Sequence, residues 1–124
     1  MKTMFISAAI FNWVAAIVLV VANDWVFTLL SLETSPTALF FLHLFCTLVF
    51  FFGIGYYRAA FDLGSQIEVI KLGAIAKASL FFVVAIDVWI GLVSWPLLLL
   101  LSVDLVYSLL FFRALSRIPK SATA

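Results

Sequence analysis

Charged residues are scarce in this chain. Only 10% of its 124 residues are Asp, Glu, Lys or Arg, whereas 67% are hydrophobic. Soluble domains are about half apolar, so this chain lacks the polar surface that a soluble globule needs. The net charge of +1 argues against nucleic acid as a partner, because phosphate binding depends on clustered basic residues. The composition therefore predicts an integral membrane protein whose first partner is the lipid bilayer.

The residues that carry most enzyme chemistry are also few. The single cysteine, Cys46, allows no internal disulfide. The single histidine, His43, cannot supply a pair of haem ligands, and no P-loop or Ser-His-Asp set accompanies it. His43-x-x-Cys46 places two ligand types on one helix face, but the usual H-x-x-x-H and C-x-x-C spacings of metal sites are missing. We therefore predict no enzyme activity, no metal and no cofactor.

Four long apolar segments dominate the chain and predict its fold. Each is long enough to cross a bilayer as a helix, and short polar stretches separate them. The first apolar run exceeds the usual core of a signal peptide, so we expect an uncleaved first span. The sequence predicts an all-α, antiparallel four-helix membrane bundle over residues 1–118, followed by a short basic tail at 119–124. The predicted spans are about 4–22, 36–63, 66–93 and 96–113.

The basic residues predict the orientation of the bundle. In this arrangement every Lys and Arg falls at one end, and an excess of positive charge marks the cytoplasmic side of a membrane. Both termini are therefore expected in the cytoplasm, and the expected location is a bacterial inner membrane. Lys77 is expected to extend toward lipid headgroups at that side. The seven basic residues are Lys2, Arg58, Lys71, Lys77, Arg113, Arg117 and Lys120.

Local signals predict where the helices begin and end. Ser35 followed by Pro36 is typical of an N-cap and a first helical position. Gly64 is predicted to close the second span in the left-handed conformation. Ser65 and Glu68 have the S-x-x-E spacing of a capping box, in which each side chain satisfies a backbone amide of the next helix.

One layer of ionisable residues is the main candidate for a site. Regular helices would place His43, Asp87 and Asp104 about 9–12 Å below the outer surface. An acid at that depth costs at least ~2.5 kcal/mol on insertion scales, so both carboxylates should face inward, with His43 as the expected donor. Tyr107 follows Asp104 by one helical turn, and Asn12 lies beside small residues typical of helix contacts in lipid. These five residues form either a ligand-binding or proton-exchanging site, or a structural hydrogen-bonded cluster.

The hairpin between the second and third spans resembles small four-span bacterial proteins grouped with the DoxX-like families. The resemblance covers about a fifth of the chain and implies a four-helix membrane bundle, in some cases associated with membrane oxidoreductases. It implies no catalytic residues at these positions. The residues that carry it are Gly55, Tyr56, Tyr57, Ala59, Ala60, Asp62, Gly73, Ala74, Ala76 and Lys77.

Two classes of function follow as hypotheses. The first is an accessory or assembly subunit, or a binder of lipid- or quinone-type small molecules, in a larger membrane complex or as a homo-oligomer. The alternative is an oligomeric proton-coupled transporter or channel that uses Asp87 and Asp104. Four spans are few for a lone transporter, so this alternative requires contacts between copies, for which Ala8, Asn12 and Ala15 are the expected small-residue surface.

Overall fold

The computed structural model describes residues 1–118 and is all-helical over that range, as predicted. The predicted basic tail at 119–124 lies outside the described residues. Four of the helical segments are long and apolar enough to cross a membrane. The helices are α1 (Lys2–Val21), α2 (Asn23–Leu29), α3 (Pro36–Phe61), α4 (Ile67–Trp89) and α5 (Pro96–Ser116), with a 3₁₀ turn at Gly64–Gln66 before α4.

The outer surface of these helices is largely apolar. Large hydrophobic side chains are exposed along all four long helices, and Trp89 and Val21 are among the most exposed. A water-soluble monomer rarely shows apolar patches of more than a few hundred Å². The length, the hydropathy and the apolar exterior of the helices together indicate a multi-pass membrane protein.

Neighbouring long helices run antiparallel. In the pair α1 and α3, the Asn12 amide donates to the Val49 carbonyl at 3.0 Å, while Lys2 near the start of α1 lies over the ring of Phe61 at the end of α3. In the pair α4 and α5, the Ser108 hydroxyl donates to the Ala74 carbonyl at 2.7 Å. These contacts place the start of α1, the end of α3, the start of α4 and the end of α5 at one end of the bundle, which we call the basic end.

The basic end also contains the tightly packed core. The rings of Phe5, Tyr56 and Phe111 pack against one another there, with centroids 5.4 Å apart for Phe5 and Phe111 and 4.8 Å apart for Tyr56 and Phe111. Gly73 makes this packing possible, because a methyl group at that position would collide with the Tyr56 hydroxyl. The buried members of the core are Phe5, Ala8, Ala9, Tyr56, Ala59, Ile70, Ala74, Phe111 and Ala114.

The start of α3 follows the sequence signals, whereas the segment before it does not. Ser35 is the N-cap and accepts a hydrogen bond from the Ala38 amide at 3.1 Å, and Pro36 opens the helix, as predicted. The preceding stretch was expected to be a connection, but it contains the short helix α2. Val26 and Phe27, the apolar residues of this stretch, bury their side chains in the helix.

The predicted capping box at the α3–α4 hairpin is wrong. The Ser65 hydroxyl donates to the Asp62 carbonyl at 3.2 Å, and the Glu68 carboxylate pairs instead with Lys71 at 3.3 Å. A 3₁₀ turn precedes α4, so Gln66 rather than Ser65 occupies the N-cap position. Asp62 serves this turn directly by accepting the Ser65 amide at 3.4 Å.

The left-handed glycine occurs at the other end of α4. Gly91 has φ +80°. Gly64, which is predicted to adopt the left-handed conformation, does not have a positive φ. The Leu92 amide donates to the Asp87 carbonyl at 2.8 Å and the Gly91 amide donates to the Val88 carbonyl at 3.1 Å. This is the Schellman pattern, in which a residue with positive φ lets the last carbonyls of a helix find donors. It explains why α4 ends at Trp89, before the predicted limit at 93.

Candidate functional site

A buried ion pair joins the middle of α4 to the middle of α5. The Lys77 ammonium lies 2.5 Å from a carboxylate oxygen of Asp104, and the two side chains are only 6% and 14% exposed. The prediction that Lys77 extends to the lipid headgroups is therefore wrong. Lys77 lies about one helical turn beyond Gly73, too far along α4 for its side chain to reach the basic end. Asp104 lies close to it and gives its charge a partner inside the bundle.

Asn12 connects this ion pair to the other two long helices. The Lys77 ammonium donates to the Asn12 side-chain oxygen at 3.1 Å, and the Asn12 amide donates to the Val49 carbonyl of α3. Three consecutive hydrogen bonds thus link α5, α4, α1 and α3. Asn12 is itself buried, so the prediction that its face packs against a neighbouring helix is confirmed.

Three aromatic rings flank the ammonium group. The Lys77 nitrogen lies 5.5 Å from the ring centroid of Phe11, 5.6 Å from that of Tyr56 and 5.8 Å from that of Tyr107. A cation within about 6 Å of such ring faces is attracted by their electron density. The Tyr107 hydroxyl donates to the Ser7 hydroxyl of α1 at 2.9 Å, which fixes one of these rings.

A cavity of about 430 Å³ adjoins the ion pair on the side away from the packed core. Its walls come from all four long helices and are predominantly apolar. Lys77, Asp104, Asn12 and Tyr56 supply the polar groups at its inner end. Ser79 also lines it, and its apolar walls are formed by Phe11, Ala15, Leu19, Phe45, Leu48, Val49, Phe52, Ala76, Leu80, Val83, Leu100 and Leu101.

The structure does not assemble the predicted layer of His43, Asp87 and Asp104. Asp104 pairs with Lys77, not with His43. His43 is exposed and lines a separate apolar groove of about 440 Å³ between α1 and α3, next to Cys46. Asp87 is half-buried and lines neither space. His43, Asp87 and Asp104 have similar predicted depths, but side chains at one depth on three helices need not face the same space. Only Asp104 lines the cavity.

The metal-ligand pattern does not converge either. Among residues 1–118, no three His, Cys, Asp or Glu side chains come close enough together to hold a metal ion. Of the five residues predicted for the site, Asn12 and Asp104 border the cavity, and Tyr107 contacts Lys77 through its ring. A ligand-binding or proton-exchanging role for each of them stays a prediction.

Sequence reasoning missed Lys77 and Tyr56 as site residues. Both belong to the hairpin region that looks interfacial, because it is the one internal stretch with several charges. The available signal was distance: Lys77 lies ten residues into α4, about 15 Å along the helix from its start at Ile67. A charge that far inside an apolar helix needs a partner within the protein. Asp104 lies at a similar distance from the end of α5 at Ser116.

Comparison with known proteins adds no assignment. The sequence matches no protein-family model, and no curated protein or solved structure is detectably similar to it. The resemblance of the hairpin to the DoxX-like families stays a prediction.

The ion pair generates a prediction about stability. Lys77→Met removes the cation and leaves the Asp104 carboxylate buried without its partner, which should cost about 3 kcal/mol in the free energy of unfolding. Replacing both residues, as Lys77→Met with Asp104→Leu, should recover most of that loss because no charge then remains buried. Chemical unfolding in detergent micelles, followed by circular dichroism, measures both values.

The matched control is the exposed pair of Glu68 and Lys71, which is also a Lys–carboxylate contact at 3.3 Å. Lys71→Met should change the free energy of unfolding by less than about 1 kcal/mol, because exposed ion pairs contribute little. Equal losses for Lys71→Met and Lys77→Met would contradict a special role for the buried pair.

Proposed function

We propose that this chain is a small multi-pass protein of the bacterial inner membrane that binds a lipid- or quinone-type molecule in the cavity beside Lys77 and Asp104. In this proposal it has no covalent chemistry of its own and serves as an accessory or assembly subunit. The observation that carries the proposal is an apolar cavity whose polar groups, apart from Ser79, gather at its inner end. Such a space matches a molecule with a long apolar body and a small polar head.

The size of the cavity supports a small-molecule ligand. Sites for such ligands are typically about 300–1,000 Å³, mostly apolar, with few polar groups that orient the ligand. The cavity has a volume of about 430 Å³ and fits that range. Its polar groups gather at one end, so a bound molecule would have a defined direction, with its head at Lys77 and its chain along α3 and α4.

The lining residues also indicate how a ligand reaches the cavity. Phe45 and Leu48 of α3 and Val83 of α4 border the cavity and are all substantially exposed on the outer surface. The cavity therefore opens sideways between α3 and α4. In a bilayer this opening faces the acyl chains, which is the direction from which an apolar molecule arrives.

A second candidate function is proton-coupled transport, and the position of the ion pair favours it. Lys77 and Asp104 lie near the middle of their helices, where a titratable pair in a membrane protein often marks an ion or proton pathway. Transport also requires an oligomer, and the surface expected to form it is not available. Ala8 and Asn12, expected to join copies in an oligomer, are buried within one chain. An oligomer would therefore need a different surface.

The charge distribution supports the proposed orientation. Lys2, Arg58, Lys71, Arg113 and Arg117 all belong to the basic end, even after Lys77 is removed from that set. Asp24 and Glu33 lie beyond the opposite ends of α1 and α3. By the positive-inside rule, the basic end and both termini are then cytoplasmic.

The ligand proposal is tested by filling the cavity. Val83→Trp places a large ring at the opening between α3 and α4 and should abolish retention of a copurified apolar molecule. The measurement is solvent extraction of protein purified in mild detergent, followed by mass spectrometry of the extract. The wild-type protein should retain about one equivalent of a defined molecule beyond bulk phospholipid.

The control for this experiment is Val106→Trp. Val106 is exposed to nearly the same extent as Val83, 55% against 53%, but does not line the cavity. Loss of the bound molecule in both variants, or retention in both, would reject the cavity as the binding site.

The transport hypothesis requires a different result. If Asp104 exchanges protons, Asp104→Asn should abolish pH-driven flux in reconstituted vesicles, because an amide does not titrate. A wild-type protein that produces no proton flux above protein-free vesicles would reject this hypothesis and leave the binding proposal intact.

The orientation is tested by single-cysteine labelling in a Cys46→Ser background. Cysteines introduced at Glu33 or Ser94 should react with an impermeant thiol reagent added outside intact cells. Cysteines at Ser65 or Ser116 should react only after the membrane is opened. The reverse pattern would place the basic end outside and refute the proposed topology.

A further inference from the structure

We infer that the cavity selects electrically neutral head groups that accept hydrogen bonds and disfavours anionic ones. This inference rests on the proposed function, since it describes the ligand of the same cavity. At the inner end of the cavity one cation, Lys77, and one anion, Asp104, lie side by side, so their charges balance.

The cation at this end is already matched. Lys77 is the one basic residue in the cavity wall, and the Asp104 carboxylate lies 2.5 Å from its nitrogen. A ligand carboxylate or phosphate would add a second negative charge beside a single ammonium group. In an apolar surrounding the repulsion from Asp104 and the loss of water from the ligand are both large. A neutral head group avoids both costs.

Donor capacity nevertheless remains for a ligand. An ammonium group has three N–H donors, and Lys77 uses two of them, on Asn12 and Asp104. The group also borders the cavity. Its remaining donor can serve a carbonyl, amide or hydroxyl oxygen of a bound molecule.

Tyr56 supplies a second donor at the same end. Its side chain is 2% exposed and lines the cavity. No fully enclosed polar side-chain atom lacks a hydrogen bond in the described part of the chain. The Tyr56 hydroxyl has no hydrogen-bond partner within 1–118 and is therefore not fully enclosed. In this inference it donates toward the cavity that its side chain lines. Gly73 holds the ring in this place by leaving room for the hydroxyl.

Together these groups specify the class of ligand. The inner end offers two donors, the Lys77 ammonium and the Tyr56 hydroxyl, while its net charge is zero. Its complement is an apolar chain that ends in a neutral acceptor, such as a carbonyl, an amide or an alcohol. Fatty-acid anions and anionic phospholipid headgroups carry the wrong charge for this end.

The test compares two probes that share one chain. Dodecanamide has a neutral carbonyl head, and dodecanesulfonate is anionic at every working pH. Equilibrium binding of each radiolabelled probe is measured on the full chain in neutral-lipid nanodiscs, with empty nanodiscs subtracted. The wild-type protein should bind the amide at least about tenfold more tightly than the sulfonate, because only the sulfonate brings a second negative charge beside Asp104.

Two variants separate the contributions of charge and of the hydroxyl. Asp104→Asn leaves Lys77 unbalanced and should reverse the preference in favour of the sulfonate, whereas Asp87→Asn, on α4 but outside the cavity wall, should not change it. Tyr56→Phe should weaken binding of the amide by about three- to tenfold. Tyr57→Phe changes the adjacent, exposed tyrosine and should have no effect.

The outcomes distinguish failure of the selectivity for neutral head groups from failure of the proposed binding function. If the wild-type protein binds the sulfonate as well as or better than the amide, selection for neutral heads is overturned while the small-molecule site stands. If it binds neither probe, the proposed function fails and this inference fails with it. Should Asp104→Asn not fold, the wild-type preference together with Tyr56→Phe and Tyr57→Phe still decides the question.

Discussion

The ion pair between Lys77 and Asp104 is the constraint on which the rest of the structure depends. Both side chains are largely buried, so each charge requires the other. Through Asn12 the pair extends to α1, and from there to the Val49 carbonyl of α3. All four long helices are thereby tied at one level by directional bonds. Apolar packing alone, between helices with apolar surfaces on every side, would specify their relative rotation much less strictly.

This level divides the bundle into two unlike halves. Toward the basic end, small residues and stacked rings bring the helices into close contact around Phe111. Away from it, the four long helices separate and enclose the cavity. The polar groups that hold the helices together are thus the same groups that meet any molecule in the cavity. A structural role and a binding role for Lys77 and Asp104 are therefore compatible.

The same arrangement bears on the choice between binding and transport. Lys77 and Asp104 form a largely buried ion pair, and moving a proton through it would separate two charges in an apolar surrounding. That separation is costly unless a ligand or water compensates it. A neutral molecule that accepts from Lys77 and Tyr56 leaves the pair intact. In the proposed function, the pair therefore orients a bound molecule and does not carry a proton.

The sequence by itself determined the all-helical class, the four apolar spans, the start of α3 at Ser35 and Pro36, and the gathering of basic residues at one end. These properties follow from composition, helix length and local hydrogen bonding, which neighbouring residues decide. Only the tertiary structure decided that Lys77 faces Asp104, that His43 faces a different groove, and that Tyr56 reaches the cavity. Each of these depends on how far a helix is rotated about its axis, and in helices that are apolar all round the hydrophobic pattern carries almost no information about that rotation.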